Sequence, residues 1–241
     1  MTPSFPLSAG IWLSSGSPVV TDLAARCRPD WLLLDMEHGA ITEADLLTHL
    51  WAAGDCPVVV RLPDHDFSRI GRVLDWGAHA VMVPHVNSAD EARAIVEAMR
   101  WPPEGKRGFS RSVRSNRYGL PGPGVKSPAR LYAQIETGRA VTRIEEIAAV
   151  PGVDVLFVGP ADLAVSLSAE PMGFDGEAAL ARVAAAAATR GIEAGLLVRD
   201  ETDMPKRRAQ GYTQIALHSD ISLLRSGFMA QLELQRSVEI R

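Results

Sequence analysis

The sequence has few cysteines and no long uninterrupted apolar run. Only two of its 241 residues are cysteine, Cys27 and Cys56, and their spacing fits neither a disulfide framework nor a metal-binding knuckle. No apolar run reaches the roughly 20 residues needed to cross a bilayer. The basic segment and apolar run typical of a secretory signal are also missing from the N-terminus. We therefore expect a cytoplasmic protein without a membrane partner.

Concentrated charge of one sign is scarce as well. The 25 Lys and Arg against 29 Asp and Glu give a net charge of -4, and the basic residues are scattered, so we expect no nucleic-acid partner. The densest basic stretch, residues 107–117, lies inside a long proline-rich irregular segment, residues 101–129. Loops of this length are usually binding loops, lids or subunit contacts. We predict that the basic stretch is solvated or faces an anion.

Lysine is rare, and its positions limit the chemistry. The three lysines are Lys106 and Lys126 in the proline-rich segment and Lys206 in a charged helical segment. None follows an apolar strand, where a desolvated amine would form a Schiff base with a carbonyl compound. Carbonyl chemistry in this chain would therefore require a metal ion.

What the sequence does have is a regular alternation of apolar runs and helix-like segments. The runs are mostly continuous, which is typical of parallel strands covered on both faces. They are residues 10–13, 31–35, 58–61, 80–83, 131–136, 153–158, 193–198 and 213–217. The helices predicted around them are residues 18–26, 43–53, 67–76, 89–99, 138–147, 175–190, 205–210 and 221–238.

This alternation predicts an α/β protein, a single (β/α)8 barrel over residues 1–241. An open, doubly wound sheet is the alternative. The first turn of such a sheet carries a glycine-rich pattern when it binds a dinucleotide, and Ser14-Ser15-Gly16-Ser17 lacks that pattern.

Charged residues stand where several strands end, at the rim that carries the active site of a barrel. They are Asp35, Glu37 and His38 after the second strand, Arg61 on the third, Glu136 on the fifth and Asp162 after the sixth. Burying such groups is costly unless they share a partner, and a hard divalent cation with oxygen ligands is one. We predict a metal site at Glu136 and Asp162.

Each of these residues also has a plainer interpretation. Asp162 is placed to begin a helix, Arg61 to form a surface ion pair, and His38 to be a structural histidine. Their combination at one rim favours a site, and Asp35 beside His38 fits a carboxylate that orients an imidazole base. His65 and His85 are weaker candidates near the same rim.

Ordered fragments along most of the chain resemble the metal-dependent class II pyruvate aldolases of the 4-hydroxy-2-oxoheptanedioate aldolase family. The fragments are Gly10-Ile11-Trp12-Leu13-Ser14, Asp30 to Asp35 with Glu37-His38-Gly39, Val60-Arg61, Val83-Pro84, Trp101-Pro102-Pro103, Gly105-Lys106-Arg107-Gly108, Gln134-Ile135-Glu136 and Gly159-Pro160-Ala161-Asp162-Leu163. The resemblance implies a (β/α)8 barrel whose last helix is exchanged between subunits. It also implies a homo-oligomer, usually a hexamer built from dimers.

The resemblance assigns roles in metal binding and proton transfer. Glu136 and Asp162 match the ligands of a divalent ion, with Mg²⁺, Mn²⁺ or Co²⁺ as candidates. Glu37 matches a residue that holds a water on the ion. His38 with Asp35 matches the pair that transfers the proton.

The resemblance also assigns residues to the oxo-acid substrate. Arg61 matches the arginine that contacts the keto oxygen of pyruvate. The backbone N–H groups of Ala161 and Asp162, at a helix start, are similar to those that receive the pyruvate carboxylate. Gln134 and Leu197 are expected to contact the substrate as well.

The reaction implied is reversible aldol cleavage of a 4-hydroxy-2-oxo acid to pyruvate and an aldehyde. Two alternatives stay open: an oxaloacetate or oxo-acid decarboxylase or lyase using the same metal enolate, and a catalytically silent barrel that binds an oxo acid. Residues 109–119 are richer in arginine than the family pattern. Arg117 or its neighbours are therefore the candidates for contacting a negatively charged or polar aldehyde.

Overall fold

Eight parallel strands close into a barrel in the computed structural model, which describes residues 5–121 and 129–238. Each strand pairs with the next along the chain, and β1 pairs with β8 to close the ring. The strands are β1 (Ser8–Leu13), β2 (Trp31–Asp35), β3 (Val58–Arg61), β4 (Ala80–Val83), β5 (Arg130–Ile135), β6 (Val155–Val158), β7 (Glu193–Val198) and β8 (Tyr212–Ser219). The predicted (β/α)8 barrel is confirmed.

Helices surround the barrel and follow the strands. They are α1 (Pro18–Arg26), α2 (Glu43–Ala52), α3 (Phe67–Asp75), α4 (Ala89–Met99), α5 (Gly138–Thr142), α6 (Ile144–Ala148), α7 (Pro160–Ala169), α8 (Gly176–Arg190), α9 (Met204–Gln210) and α10 (Asp220–Val238). Short 3-10 segments occupy Arg114–Gly119 and Glu201–Asp203. None of the described helices combines the length and apolarity required to cross a membrane.

Several element boundaries differ from the predicted ones by one or two residues, and three differences concern the local structure. The helix expected over residues 138–147 is divided at Arg143, whose φ of -112° and ψ of 15° interrupt the helical backbone. The strand β6 begins two residues later than predicted because the N–H of Val153 still closes a turn onto Val150. Helix α7 was not among the predicted helices, although Pro160 at its first turn is a common helix start.

The inside of the barrel is filled by buried hydrophobic side chains, four of them aromatic. They are Trp12, Trp31, Leu33, Val59, Ala80, Met82, Tyr132, Val155, Phe157 and Ala216. The rings of Trp31 and Phe157 pack edge to face with centroids 6.4 Å apart. Gly10 leaves room for this packing, because a Cβ there would lie 2.2 Å from the Trp31 ring. A filled interior confines any site to the ends of the strands.

Two arginines of the basic stretch anchor the long loop to the barrel. Arg107 is 8% exposed, pairs with Asp75 at 2.5 Å and lies over the Trp101 ring. Arg114 donates a hydrogen bond to the carbonyl of Trp76 at 2.9 Å. The expectation of a solvated or anion-facing stretch is therefore wrong for these two residues, since their guanidinium groups are bound by the protein itself. Lys126 lies outside the described residues.

Candidate active site

A cavity of about 190 Å³ opens at the carboxyl ends of the strands. Its lining residues come from seven strand ends and from the start of α7. They are Trp12, Ser14, Asp35, His38, Arg61, Gln134, Phe157, Val158, Gly159, Pro160, Ala161, Asp162, Leu197, Arg199 and Ser219. A second cavity of about 410 Å³ lies between α3 and residues 107–110, and no strand residue lines it. The smaller cavity is the one that contains the predicted chemistry.

Asp35 and Arg61 form the buried centre of the cavity floor. Arg61 donates from Nε to Oδ1 of Asp35 at 3.0 Å and from Nη2 to Oδ2 at 2.7 Å. Its guanidinium carbon lies 4.7 Å from the centroid of the Trp12 ring. Burial raises the pKa of Asp35, but the hydrogen bonds and charge of Arg61 outweigh it and hold the pKa below its ordinary value of 3.8. Asp35 is therefore a carboxylate, and Arg61 is fixed in orientation.

Glu37 lies on the other side of the guanidinium. Its Oε2 is 2.7 Å from Nη1 of Arg61, at an angle unsuited to a hydrogen bond, and this buried oxygen has no other partner among the described residues. Burial raises the pKa of Glu37; the charge of Arg61 opposes the rise, and the charge of Glu136 adds to it. Two acidic groups in a desolvated space would be stabilised by a shared cation.

Glu136 is 1% exposed and follows β5 directly. Its Oε1 accepts the backbone N–H of His85 at 2.7 Å and lies 3.0 Å from the ring Nδ1 of His85. Its Oε2 accepts a hydrogen bond from the side-chain amide of Gln134. The amide oxygen of Gln134 is buried and has no hydrogen-bond partner within the described chain. The Glu136 carboxylate is thus held in place beside the Gln134 amide oxygen, which is free to accept a hydrogen bond or to bind a cation.

The start of α7 lies against this acidic group. A Cβ on Gly159 would be 2.7 Å from Oε2 of Glu136, so only glycine allows the approach. Ala161 and Asp162 follow in the first helical turn, where backbone N–H groups have no intrahelical acceptor. The cavity therefore meets a helix N-terminus, which favours an anion.

His38 lies at the mouth of the cavity, with its side chain 64% exposed. Asp35 accepts a hydrogen bond from its backbone N–H at 3.1 Å. The carboxylate nearest its imidazole, among the described residues, is that of Glu37, with Nε2 and Oε1 4.0 Å apart. Asp35 thus contacts the backbone of His38, whereas the imidazole of His38 faces Glu37.

The structure brings the predicted residues together and adds others. Asp35, His38, Arg61, Gln134, Ala161, Asp162 and Leu197 all line the cavity. Glu37 and Glu136 are not lining residues, but they contact Arg61 and Gln134, respectively, which are. Sequence reasoning missed Arg199, although a charged residue directly after the β7 run was a signal of the same kind as Arg61. It placed His85 among the weaker candidates, and nothing in the pattern showed that Nδ1 of its ring lies 3.0 Å from Oε1 of Glu136.

Three side chains are arranged in a way that fits a metal ion. Glu37, His85 and Glu136 each offer one ligand atom, and these atoms all lie within 4.8 Å of one another. Oxygen and imidazole nitrogen suit Mg²⁺, Mn²⁺ and Co²⁺ to different degrees. Asp162, the other predicted ligand, lines the cavity from the α7 side and is not a member of this cluster. The buried oxygens of Glu37 and Gln134 that lack hydrogen-bond partners, together with the clustered carboxylates, therefore fit a divalent cation.

Comparison with known proteins identifies the family. The sequence profile of the HpcH/HpaI aldolase/citrate lyase family matches residues 8–227. The chain belongs to that family. A hydroxypyruvate/pyruvate aldolase of Paraburkholderia phytofirmans is 40% identical over 225 residues, which are 88% of this chain and 86% of the other. A 4-hydroxy-2-oxovalerate aldolase of Novosphingobium aromaticivorans is 43% identical over 210 residues, 81% and 78% of the two chains.

A solved structure extends the similarity to the fold. The crystal structure of an HpcH/HpaI aldolase/citrate lyase family protein from Burkholderia cenocepacia matches with a TM-score of 0.88 and 35% identity, covering 95% of each chain. Membership of this family makes the protein a lyase that cleaves oxo acids in an aldol reaction. Because the named relatives differ in substrate, the 4-hydroxy-2-oxoheptanedioate subfamily stays a prediction.

Proposed function

We propose that this family member is a class II pyruvate aldolase that reversibly cleaves a 4-hydroxy-2-oxo acid into pyruvate and an aldehyde. The observation that carries the proposal is the fixed Arg61 guanidinium, which Asp35 and Glu37 hold beside the buried Glu136 at the cavity. The pyruvate and hydroxypyruvate aldolases among the relatives support it. A single barrel domain over residues 1–241, in the cytoplasm, would carry the activity.

The metal belongs to the same proposal. Glu136 and Asp162 would hold a divalent ion, Mg²⁺, Mn²⁺ or Co²⁺, and Glu37 would keep a water on it. When bound, the ion supplies the positive charge that stabilises an enolate, and no lysine is among the described residues that line the cavity. The clustering of Glu37 and Glu136 with His85 supports a cation at this place.

Residues of the cavity would bind the oxo acid in one orientation. The N–H groups of Ala161 and Asp162 at the start of α7 would receive the carboxylate, because they lack intrahelical acceptors. Arg61 would donate to the keto oxygen, on which negative charge develops during cleavage. Gln134 and Leu197 line the same space and would restrict the position of the substrate.

His38 would perform the proton transfer. Its exposed imidazole lies at the cavity mouth, where the 4-hydroxyl of a bound oxo acid would extend away from Arg61. We propose that it removes the hydroxyl proton directly or through a water, after which the carbon–carbon bond breaks and the aldehyde leaves. Protonation of the remaining enolate gives pyruvate. Asp35 contributes by holding the His38 backbone and the Arg61 side chain.

Exchange of the C3 protons of pyruvate, followed by NMR in heavy water, tests this function. Exhaustive chelation should abolish exchange, and Mg²⁺, Mn²⁺ or Co²⁺ should restore it. The variant Glu136→Gln should lose exchange, whereas Glu146→Gln, an exposed glutamate of α6, should retain it. Absence of exchange in the metal-loaded wild type would favour a silent oxo-acid-binding barrel. Exchange accompanied by release of CO₂ from oxaloacetate, without aldol activity, would favour the decarboxylase.

We also propose a homo-oligomer, a hexamer built from dimers, with α10 exchanged between subunits. Helix α10 makes its main contacts with β1 and β8 and leaves many apolar side chains exposed to solvent. They are Ile221, Leu223, Leu224, Phe228, Met229, Leu232 and Leu234. Burial of this set by a second copy would remove a large apolar surface from water. Light scattering of wild type and of Phe228→Asp should give a hexamer and a smaller species, respectively.

A further inference from the structure

The imidazole of His85 contacts the carboxylate of Glu136 and is close enough to the proposed ion to bind it. We propose that His85 is a direct protein ligand of the divalent ion, in addition to Glu136 and Asp162. The inference rests on the proposed metal-dependent function and deepens it, because it concerns the composition of the metal site and the ion that the site prefers.

The distance between the two candidate ligand atoms has the value that adjacent ligands require. Nδ1 of His85 lies 3.0 Å from Oε1 of Glu136. Two ligands at right angles, each about 2.1 Å from an ion, are separated by about 3 Å. The ion can therefore be bound by both atoms with little movement of either side chain.

Glu37 encloses the same space from a third direction. Its Oε1 lies 3.9 Å from Nε2 of His85, and Glu37, His85 and Glu136 form a cluster of candidate ligands among the described residues. Because Arg61 already contacts Oε2 of Glu37, Oε1 is left to face the imidazole and the ion. This arrangement is expected of a metal site and is uncommon for a histidine that only fills surface space.

The backbone of His85 has a positive φ and is held by hydrogen bonds from its neighbours. Its φ is +51°, in the left-handed region that residues other than glycine rarely occupy. The side-chain amide of Asn87 donates to the His85 carbonyl at 2.7 Å, and the next residue, Val86, donates its N–H to the carbonyl of Gln134 at 3.2 Å. Conformations of this kind cluster at functional sites, where surrounding contacts maintain them.

An imidazole ligand would change which ion the site prefers. Imidazole nitrogen binds Mn²⁺ and especially Co²⁺ more strongly than Mg²⁺. A site made only of carboxylates discriminates less between these ions. We therefore expect the wild type to bind Co²⁺ in preference to Mg²⁺. Loss of the imidazole should weaken Co²⁺ binding about tenfold or more, the loss of affinity commonly seen when a residue that supports a metal is removed, and should weaken Mg²⁺ binding less.

Pulsed EPR of the Mn²⁺-loaded protein tests the inference without relying on activity. A coordinated imidazole gives a hyperfine coupling from its ¹⁴N nucleus, and the wild type should show it. The variants His85→Asn and His85→Gly should lose it, and both residues tolerate the left-handed backbone. His65→Gln is the matched control, because His65 contacts the carbonyl of Pro84 in the same loop but lies outside the ligand cluster.

The outcomes separate this inference from the proposed function. Mn²⁺ binding with the ¹⁴N signal in the wild type and His65→Gln, and its loss in both His85 variants, supports the inference. Mn²⁺ binding without that signal overturns it and leaves the metal-dependent aldolase intact. Failure of the wild type to bind Mn²⁺, Co²⁺ or Mg²⁺ in calorimetry would overturn the metal site itself, and the inference with it.

Discussion

Arg61 contacts Asp35 at two points, with Nε 3.0 Å from Oδ1 and Nη2 2.7 Å from Oδ2. The pair fixes the plane of the guanidinium, and Nη1 then extends toward Glu37. The two hydrogen bonds to Asp35 use two of the five N–H groups of the arginine, so three remain to face Glu37 and a substrate oxygen. Both partners are nearly fully buried, which makes the pair a rigid part of the cavity floor.

Replacing Arg61 with lysine should therefore remove most of the activity. A lysine keeps the charge, but a single ammonium cannot contact Asp35 at two points and reach Glu37 and substrate as well. We expect kcat/KM for aldol cleavage to fall about 100-fold or more, as for loss of one oriented donor to a developing oxyanion. Arg182→Lys is the control, because Arg182 also contacts a carboxylate at two points but lies exposed on α8. Near-normal turnover by Arg61→Lys would remove Arg61 from the reaction.

Replacing Asp35 with asparagine should destabilise the fold in a pH-dependent way. Arg61 would lose a buried anionic partner, at a cost of about 3 kcal/mol at neutral pH. Because the folded chain holds the pKa of Asp35 below 3.8, the carboxylate contributes stability above that pH and loses it as the pH falls further. Urea unfolding should show a large difference between wild type and variant at pH 7 and a smaller one near pH 3. A difference that is constant with pH would contradict the assignment.

Replacing Gly159 with alanine should weaken metal binding without unfolding the protein. The added Cβ would lie 2.7 Å from Oε2 of Glu136 and 3.0 Å from the Gln134 amide, so the carboxylate has to move. We expect the affinity for Mn²⁺ to fall about tenfold, as when a group that orients a ligand is disturbed. Gly176→Ala is the matched control, since a Cβ there meets nothing within 4 Å. Calorimetry with Mn²⁺ on both variants makes the comparison.

The barrel was predictable because its strands are continuous apolar runs. Val58–Arg61, for example, is buried at every position, and no alternating pattern competes with that interpretation. Arg61 and Glu136 were recognisable as site candidates because a charge at the end of a buried run is costly unless it has a partner there. Glu136 itself lies one residue beyond β5, and its side chain accepts a hydrogen bond from the loop that follows β4.

Other parts of the site depend on contacts between loops that no local pattern records. His85 follows β4 and Glu136 follows β5. The pairing of these two strands brings Nδ1 of His85 to 3.0 Å from Oε1 of Glu136. The His85 backbone is left-handed, and its carbonyl accepts a hydrogen bond from the side chain of Asn87. This contact could not be read from the sequence pattern around His85. Likewise, Arg107 is a typical loop residue by composition but is buried by Asp75 and Trp101.

Arg199 should select aldehydes that carry a negative charge. It follows β7, lines the cavity and is exposed, and it forms no ion pair or hydrogen bond with another side chain in the parts of the chain that the structure describes. Arg61, in contrast, is paired with Asp35 and Glu37. An arginine without a carboxylate partner at the mouth of a cavity attracts anionic ligands. The aldehyde would occupy this side, away from the carboxylate site at α7.

The variant Arg199→Gln should raise KM for glyoxylate or succinic semialdehyde about fivefold, the upper range for a single solvent-exposed ion pair. Turnover of glycolaldehyde, which is neutral, should stay within about twofold of the wild type. The difference should shrink at high salt, because exposed charges are screened. Arg190→Gln, at the C-terminal end of α8, is the control for net charge. It removes the same charge away from the cavity and should leave KM for the charged aldehydes unchanged. Equal loss with charged and neutral aldehydes would show that Arg199 shapes the cavity without recognising charge.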